Sequence, residues 1–247
     1  MSSPDEPREQ SSCPAPLTPG DAVRAAVTPL LLSLSASIVC YVTLGATTGL
    51  FFGAAAVVAL LTPPLVLAYC DDTRRAIAAS SVVDGAGVVL LFAASDPYVT
   101  LLDWVRAYLL LAAFAVALWG VAALLTRLRV APLFASALTV ALALAWLAWP
   151  VWLSPWLAGR ETLVAWLVAA HPLFGLDGTL RHLGPPWTER HLMYTRLTVL
   201  NQDVFYSLPA GVGRAVVFHA LLGIACLLPC RRMRLKRAED TAGKPAG

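Results

Sequence analysis

Six long apolar stretches limit what this chain can fold into more than any other feature of its sequence. Each is about 20 residues long, which is the length that an α-helix needs to cross the hydrocarbon core of a bilayer. Because lipid offers no hydrogen-bond partners to backbone N–H and C=O groups, such stretches cross membranes as helices. Five lie within residues 25–149, and the full set is 25–44, 49–69, 76–94, 107–125, 130–149 and 211–229. The sequence therefore predicts an all-α integral membrane protein with six transmembrane helices.

Composition supports this fold class. Hydrophobic residues make up 58% of the chain and charged residues 13%, whereas soluble domains contain about 45–50% and about 25% respectively. The net charge of +3 comes mostly from a basic segment near the C-terminus. It gives no indication of nucleic-acid binding, and the expected partner is the lipid bilayer. Arginine is the main basic residue and alanine is abundant, which is typical of proteins from GC-rich bacterial genomes.

The distribution of basic residues predicts the direction of the helices. If the N-terminus is cytoplasmic, every short inner segment carries arginine and the first outer loop carries no basic residue, as the positive-inside rule requires. Residues 1–24 then form a polar, proline-rich, disordered tail, and residues 230–247 form a basic one. The inner basic residues are Arg8, Arg24, Arg74, Arg75, Arg127, Arg129 and the run RRMRLKR at 231–237. We expect a multi-pass protein of the bacterial cytoplasmic (inner) membrane with both termini in the cytoplasm.

Residues 150–210 separate the last two predicted spans and form an extracytoplasmic segment. Its apolar run at 163–170 is too short to span and is typical of an interfacial or re-entrant helix. Pro172 disfavours helix at His171 and ends this run. The turn signals LDG and LGPPW follow, so the rest of the segment is expected to lie in water. Six of the eight tryptophans cluster from the end of the fifth span into this segment, and the stretch WLAWPVWLSPW at 146–156 predicts an outer interfacial belt. The six are Trp146, Trp149, Trp152, Trp156, Trp166 and Trp187.

Three of the four histidines fall in this outer segment. His171, His182 and His191 are 11 and 9 residues apart, with Asp177 and Glu189 between them. Zinc ligands usually come at shorter helical or hairpin spacings, and the nucleophile motif G-x-S-x-G is missing from the sequence. The cluster is a candidate extracytoplasmic site. The simpler interpretation is that a water-exposed segment collects the polar residues of an apolar chain.

Two ionisable residues fall inside predicted spans. Asp84 lies near the middle of the third span and His219 near the middle of the sixth. A carboxylate at that depth costs about 2.5–3.5 kcal/mol or more. Because the two residues lie at similar depths on helices of opposite direction, we expect an intramembrane polar pair. The alternative is a protonated Asp84 that donates to a neighbouring carbonyl.

The arrangement of the spans resembles the permease subunits of ABC-type exporters, which have six spans, both ends inside and a short outer helix before the sixth. WLAGRETLVAWLVAA is the segment most similar to that outer helix. The proline-rich tail and the short loop CDDTRRA depart from the family pattern. The chain has no phosphate-binding G-x-x-x-x-G-K-[ST] loop, so the resemblance implies a separate cytoplasmic ATPase subunit. It implies that Asp71, Asp72, Arg74 and Arg75 contact this subunit.

The sequence thus predicts a non-catalytic membrane subunit of a larger assembly, such as a transporter permease, with no catalytic residue and no cofactor. An extracytoplasmic metal-binding enzyme or sensor is one alternative, and a structural membrane scaffold is another. Glycines 45, 49 and 53 repeat at a four-residue spacing. This spacing lets helices approach closely, either within the chain or in a homo-oligomer.

Overall fold

Every regular element that the structure describes is a helix. The computed structural model describes residues 17–45, 48–93, 99–153, 156–157, 159–180 and 207–242. We number the helices in chain order: α1 Pro19–Leu44, α2 Thr48–Ala68, α3 Asp72–Ala93, α4 Leu101–Arg127, α5 Pro132–Leu147, α6 Trp149–Trp152, α7 Glu161–Ala170, α8 Pro172–Leu180 and α9 Gly213–Ala242. The predicted all-α class is confirmed for these residues.

Four of the helices are long and apolar enough to cross a membrane. They are α1 to α4, and they coincide with the first four predicted spans. The apolar helix α5 has 16 residues, which at 1.5 Å per residue is roughly 24 Å and shorter than the hydrocarbon core. The apolar part of α9 is of similar length, and the bent pair α7–α8 would make a fifth span if counted as one. Four to five spans are therefore supported within the described residues, and a sixth stays a prediction.

The termini of the helix bundle differ from the predicted boundaries. Thr18 caps α1 by accepting a hydrogen bond from the Asp21 N–H, and Pro19 occupies the first helical position, where its missing N–H costs nothing. The predicted disordered tail to residue 24 is therefore too long. At the other end α9 continues as helix to Ala242, so the predicted basic tail begins inside a helix.

Close helix contacts use glycine and serine. Ser33 on α1 donates to the Val82 carbonyl of α3 at 2.6 Å, and Gly85 packs directly beneath the same serine. On the other side of the bundle, α4 and α9 cross at Gly120 and Gly223, where a β-carbon on Gly223 would lie 2.7 Å from the Val116 carbonyl oxygen. Because glycine has no side chain, the backbones of the two helices come into direct contact at these positions.

The glycine repeat at 45, 49 and 53 acts at least partly within the chain. Gly45 has φ +69° and follows the last residue of α1, where a left-handed conformation ends the helix. A β-carbon on Gly53 would lie 2.9 Å from the Cys40 β-carbon of α1. Gly53 therefore supports the α1–α2 contact, while the homo-oligomer stays a prediction.

We expect that Gly223→Ala destabilises the fold by about 1–3 kcal/mol, because the added methyl group overlaps the backbone of α4. Gly87→Ala is the matched control, since a β-carbon there meets no atom within 4 Å and alanine favours helix by up to about 1 kcal/mol. Thermal unfolding in detergent measures both. Equal unfolding temperatures for the two variants would contradict the close α4–α9 crossing.

Candidate functional site

The helix pair α7–α8 is broken at His171. The axes of the two helices differ by 77°, and His171 between them has an extended backbone, as expected for a residue before proline. α7 starts with exposed residues at Glu161 and ends with the buried Ala169 and Ala170. The predicted end of the outer helix at His171 is confirmed.

The helix α8 is buried inside the bundle. It packs against α2, α4, α7 and α9, and all of its residues except the half-buried Gly178 are buried. The expectation that this stretch lies in water is therefore wrong for residues 171–180, and the LDG signal lies within a helix. Leu173, Leu176 and Leu180 join the main hydrophobic core, and that burial outweighs the local turn preference.

Two glycines let α8 approach the segment that leads into α9. A β-carbon on Gly178 would overlap the Pro209 carbonyl, and one on Gly175 would lie 3.4 Å from the Val212 α-carbon. The order of these contacts shows that α8 runs antiparallel to the first residues of α9. A side chain at Gly178 would force the two backbones apart.

His171 is completely enclosed by protein. Its Nε2 lies 3.2 Å from the Leu147 carbonyl oxygen, and because a carbonyl only accepts, Nε2 carries the hydrogen. The lone pair on Nδ1 has no hydrogen-bond partner among the described residues. The ring packs against Phe174, with 4.8 Å between ring centroids, and against Trp146 and Trp149.

His219 on α9 is the second buried imidazole of this region. Its Nδ1 lies 2.7 Å from the Ala215 carbonyl and donates to it, while its Nε2 accepts from the Trp146 indole N–H at 3.2 Å. Indole nitrogen only donates, so the Nε2 of His219 is unprotonated. Trp146 thus lies between the two histidines, 5.7 Å from His171 and 6.3 Å from His219 between ring centroids.

The sequence interpretation missed the role of Trp146. Tryptophans of this region were all assigned to an interfacial belt, and Trp152, Trp156 and Trp166 are indeed exposed. Trp149, in contrast, is buried beside His171. Because Trp146 and Trp149 are three residues apart, they lie on one face of a helical chain. This spacing could have indicated from the sequence that the two tryptophans share one environment.

Asp84 and His219 do not form the predicted pair. Asp84 is exposed and lines the same groove as Tyr108 of α4. His219 packs on a different face of α4, with its ring 5.2 Å from that of Phe114. The prediction compared only how deep the two residues lie in the membrane. It did not include which face of each helix carries them, and α4 lies between the two side chains.

The four residues of the predicted ATPase contact lie at the start of α3. Arg74 bonds to Asp71 at 3.0 Å and to Asp21 of α1 at 3.3 Å. Arg75 lies 3.4 Å from Asp72 and donates to the Tyr69 carbonyl at 2.9 Å. The ion pair with Asp21 shows that α1 and α3 begin at the same end of the bundle.

The predicted extracytoplasmic cluster is described only in part. His171 and Asp177 are buried in the bundle, whereas His182, Glu189 and His191 lie outside the described residues. Within the described ranges, no group of three His, Cys, Asp or Glu side chains could hold a metal ion.

We expect Trp146→Phe to destabilise the protein by about 1–3 kcal/mol, because it leaves Nε2 of His219 buried without a donor. Trp152→Phe is the control, since its indole also loses one bond, to the Ala145 carbonyl, but is exposed. Unfolding in detergent measures both variants. Repeating Trp146→Phe in a His219→Phe background separates the hydrogen bond from packing; an unchanged effect there would refute the bond.

The region formed by α8, His171, Trp146 and His219 encloses two oriented imidazoles. Each ring donates one N–H to a backbone carbonyl, and this hydrogen bond fixes the orientation of the ring. The two rings are enclosed mainly by aromatic side chains. Comparison of the chain with protein-family models, with curated proteins and with solved structures found no match.

Proposed function

We propose that this chain is a non-catalytic, multi-pass subunit of a larger assembly in the bacterial cytoplasmic membrane, of the transporter-permease type. The observation that carries the proposal is the burial of α8 among α2, α4 and α9. Non-helical backbone at membrane depth is tolerated where protein covers it or where it lines a cavity. Transport proteins place their binding sites at such breaks.

The contacts of α8 favour a re-entrant segment over a broken span. His171 lies beside Leu147 near the end of α5, and α8 then returns along the first residues of α9 until Gly178 reaches Pro209. In this arrangement the segments before α7 and after α8 face the same side of the membrane. α5 and α9 then serve as the fifth and sixth spans, with both chain termini in the cytoplasm.

Buried polar side chains cluster at this break. His171, Asp177, Thr179 and His219 are all less than 10% exposed. Ionisable residues inside membrane segments are costly, and they usually mark the path of a solute or ion. We therefore place the solute path of the proposed permease along α8.

The re-entrant arrangement predicts a labelling pattern. In a protein whose five native cysteines are replaced by alanine, Arg160→Cys and Ala210→Cys should react with a membrane-impermeant thiol reagent from one side of sealed vesicles. Arg129→Cys should react from the opposite side. If α7–α8 crossed the membrane, Arg160→Cys and Ala210→Cys would instead react from opposite sides of the vesicles.

The permease proposal also requires a separate ATPase, which the start of α3 would contact. Asp72 in the first turn of α3 is exposed. Charge reversal by Asp72→Lys should reduce the amount of ATPase recovered with the protein in mild detergent by about tenfold, as for a charge pair lost from an interface. Glu161→Lys is the matched control, an exposed acid in the first turn of α7, and recovery with it should be unchanged.

Purification of the wild-type protein in mild detergent tests whether the chain is a permease subunit. A stoichiometric subunit with a phosphate-binding loop supports the permease proposal. Recovery of the chain alone, from membranes in which it folds and inserts normally, would contradict it.

A further inference from the structure

Asp84 lies deep within a membrane-spanning helix but on its outer face. It follows the first residue of α3 by 12 positions and precedes the last by nine, roughly 18 Å and 14 Å along the axis. Its side chain is exposed at the surface of the bundle. Between Ala76 and Ala93 it is the only charged residue of the sequence. A carboxyl group facing lipid at this depth is strongly unfavourable.

A groove of about 440 Å³ surrounds this carboxyl group between α3 and α4. Its apolar walls include Val88, Leu91 and Val105. Gly87 forms an open notch in the α3 wall, because a β-carbon there would meet no atom within 4 Å. Small residues of this kind allow another helix to approach closely.

The described part of the chain supplies few hydrogen-bond donors and no ion-pair partner for the Asp84 carboxyl group. Tyr108 lines the same groove, and its single hydroxyl could donate only one of the roughly four hydrogen bonds that a carboxylate can accept. None of the ion pairs among the described residues includes Asp84. The remaining acceptor capacity faces outward into the groove.

We propose that the groove binds a transmembrane helix of another subunit, and that a lysine or arginine near the middle of that helix pairs with Asp84. The proposal rests on the proposed role as a subunit of a larger assembly, and it names the chemistry of one contact. A cation satisfies the carboxylate, and an apolar helix surface covers Val88 and Leu91. Neither would remain exposed to lipid.

Charge complementarity disfavours a second copy of this chain as the occupant. The helix arginines whose side chains the structure describes lie near helix ends: Arg24, Arg74, Arg75, Arg106, Arg127 and Arg214. Arg106 is the nearest in depth, and it already pairs with Asp103 one turn earlier at 3.8 Å. His219 is buried inside the bundle. Among the described side chains, a second copy therefore brings no available cation to the depth of Asp84.

The test uses a synthetic polyleucine transmembrane peptide with one central lysine. The full-length protein is reconstituted in phosphatidylcholine vesicles, and binding is followed by energy transfer between labels on peptide and protein. The lysine peptide should bind about tenfold more tightly than a lysine-free polyleucine peptide, as expected for an interhelical polar contact in lipid. Asp84→Asn should abolish this difference, and Asp72→Asn at the helix end should preserve it.

A second variant keeps the test decisive if Asp84→Asn misfolds. Gly87→Leu fills the notch and keeps the carboxyl group, and it should weaken binding of the lysine peptide. Equal binding of the two peptides to the wild-type protein would overturn the proposal. So would energy transfer between copies of the chain that the lysine peptide fails to displace, because a second copy would then occupy the groove. Neither outcome depends on whether an ATPase co-purifies.

Discussion

The absence of water from the hydrocarbon core is the constraint on which this structure depends. Every polar group at membrane depth needs a partner from the protein. Ser33 meets this requirement by donating to a carbonyl of α3, and His219 by bonding at both ring nitrogens. The break at His171 meets it by lying under the neighbouring helices, where its Nε2 reaches Leu147. Because the same demand applies to backbone and side chain, the break at His171 is completely buried in the described part of the bundle.

Features that depend on local composition were predictable from the sequence. Four apolar runs became α1 to α4, and the proline after His171 ended α7. Features that depend on tertiary placement were not. The glycines and aspartate of LFGLDG indicate a turn when read alone, yet the leucines around them fill a gap in the core and form α8. The sequence indicated how deep Asp84 lies in the membrane, but not which face of α3 carries it. Apolar residues occur on all faces of α3, so its hydrophobic periodicity is too weak to identify the lipid-facing side.

α4 lies between the groove that contains Asp84 and the buried region that contains His219. Its Tyr108 lines the groove with Asp84 on one face, and its Phe114 packs against His219 on another. One turn and a half further along, Gly120 brings α9 into backbone contact. The consequence is a division of roles between an outward-facing acid and inward-facing imidazoles. The proposed helix-binding groove uses the acid, and the proposed solute path runs past the imidazoles.

Trp146 has a further effect on the interior path. A hydrogen-bonded relay conducts protons only if each member can both take up and release one. The indole between His171 and His219 has a single N–H and no basic nitrogen, and this N–H is already committed to His219. Trp146 therefore cannot pass a proton from one imidazole to the other, and the described residues offer no proton relay along this route.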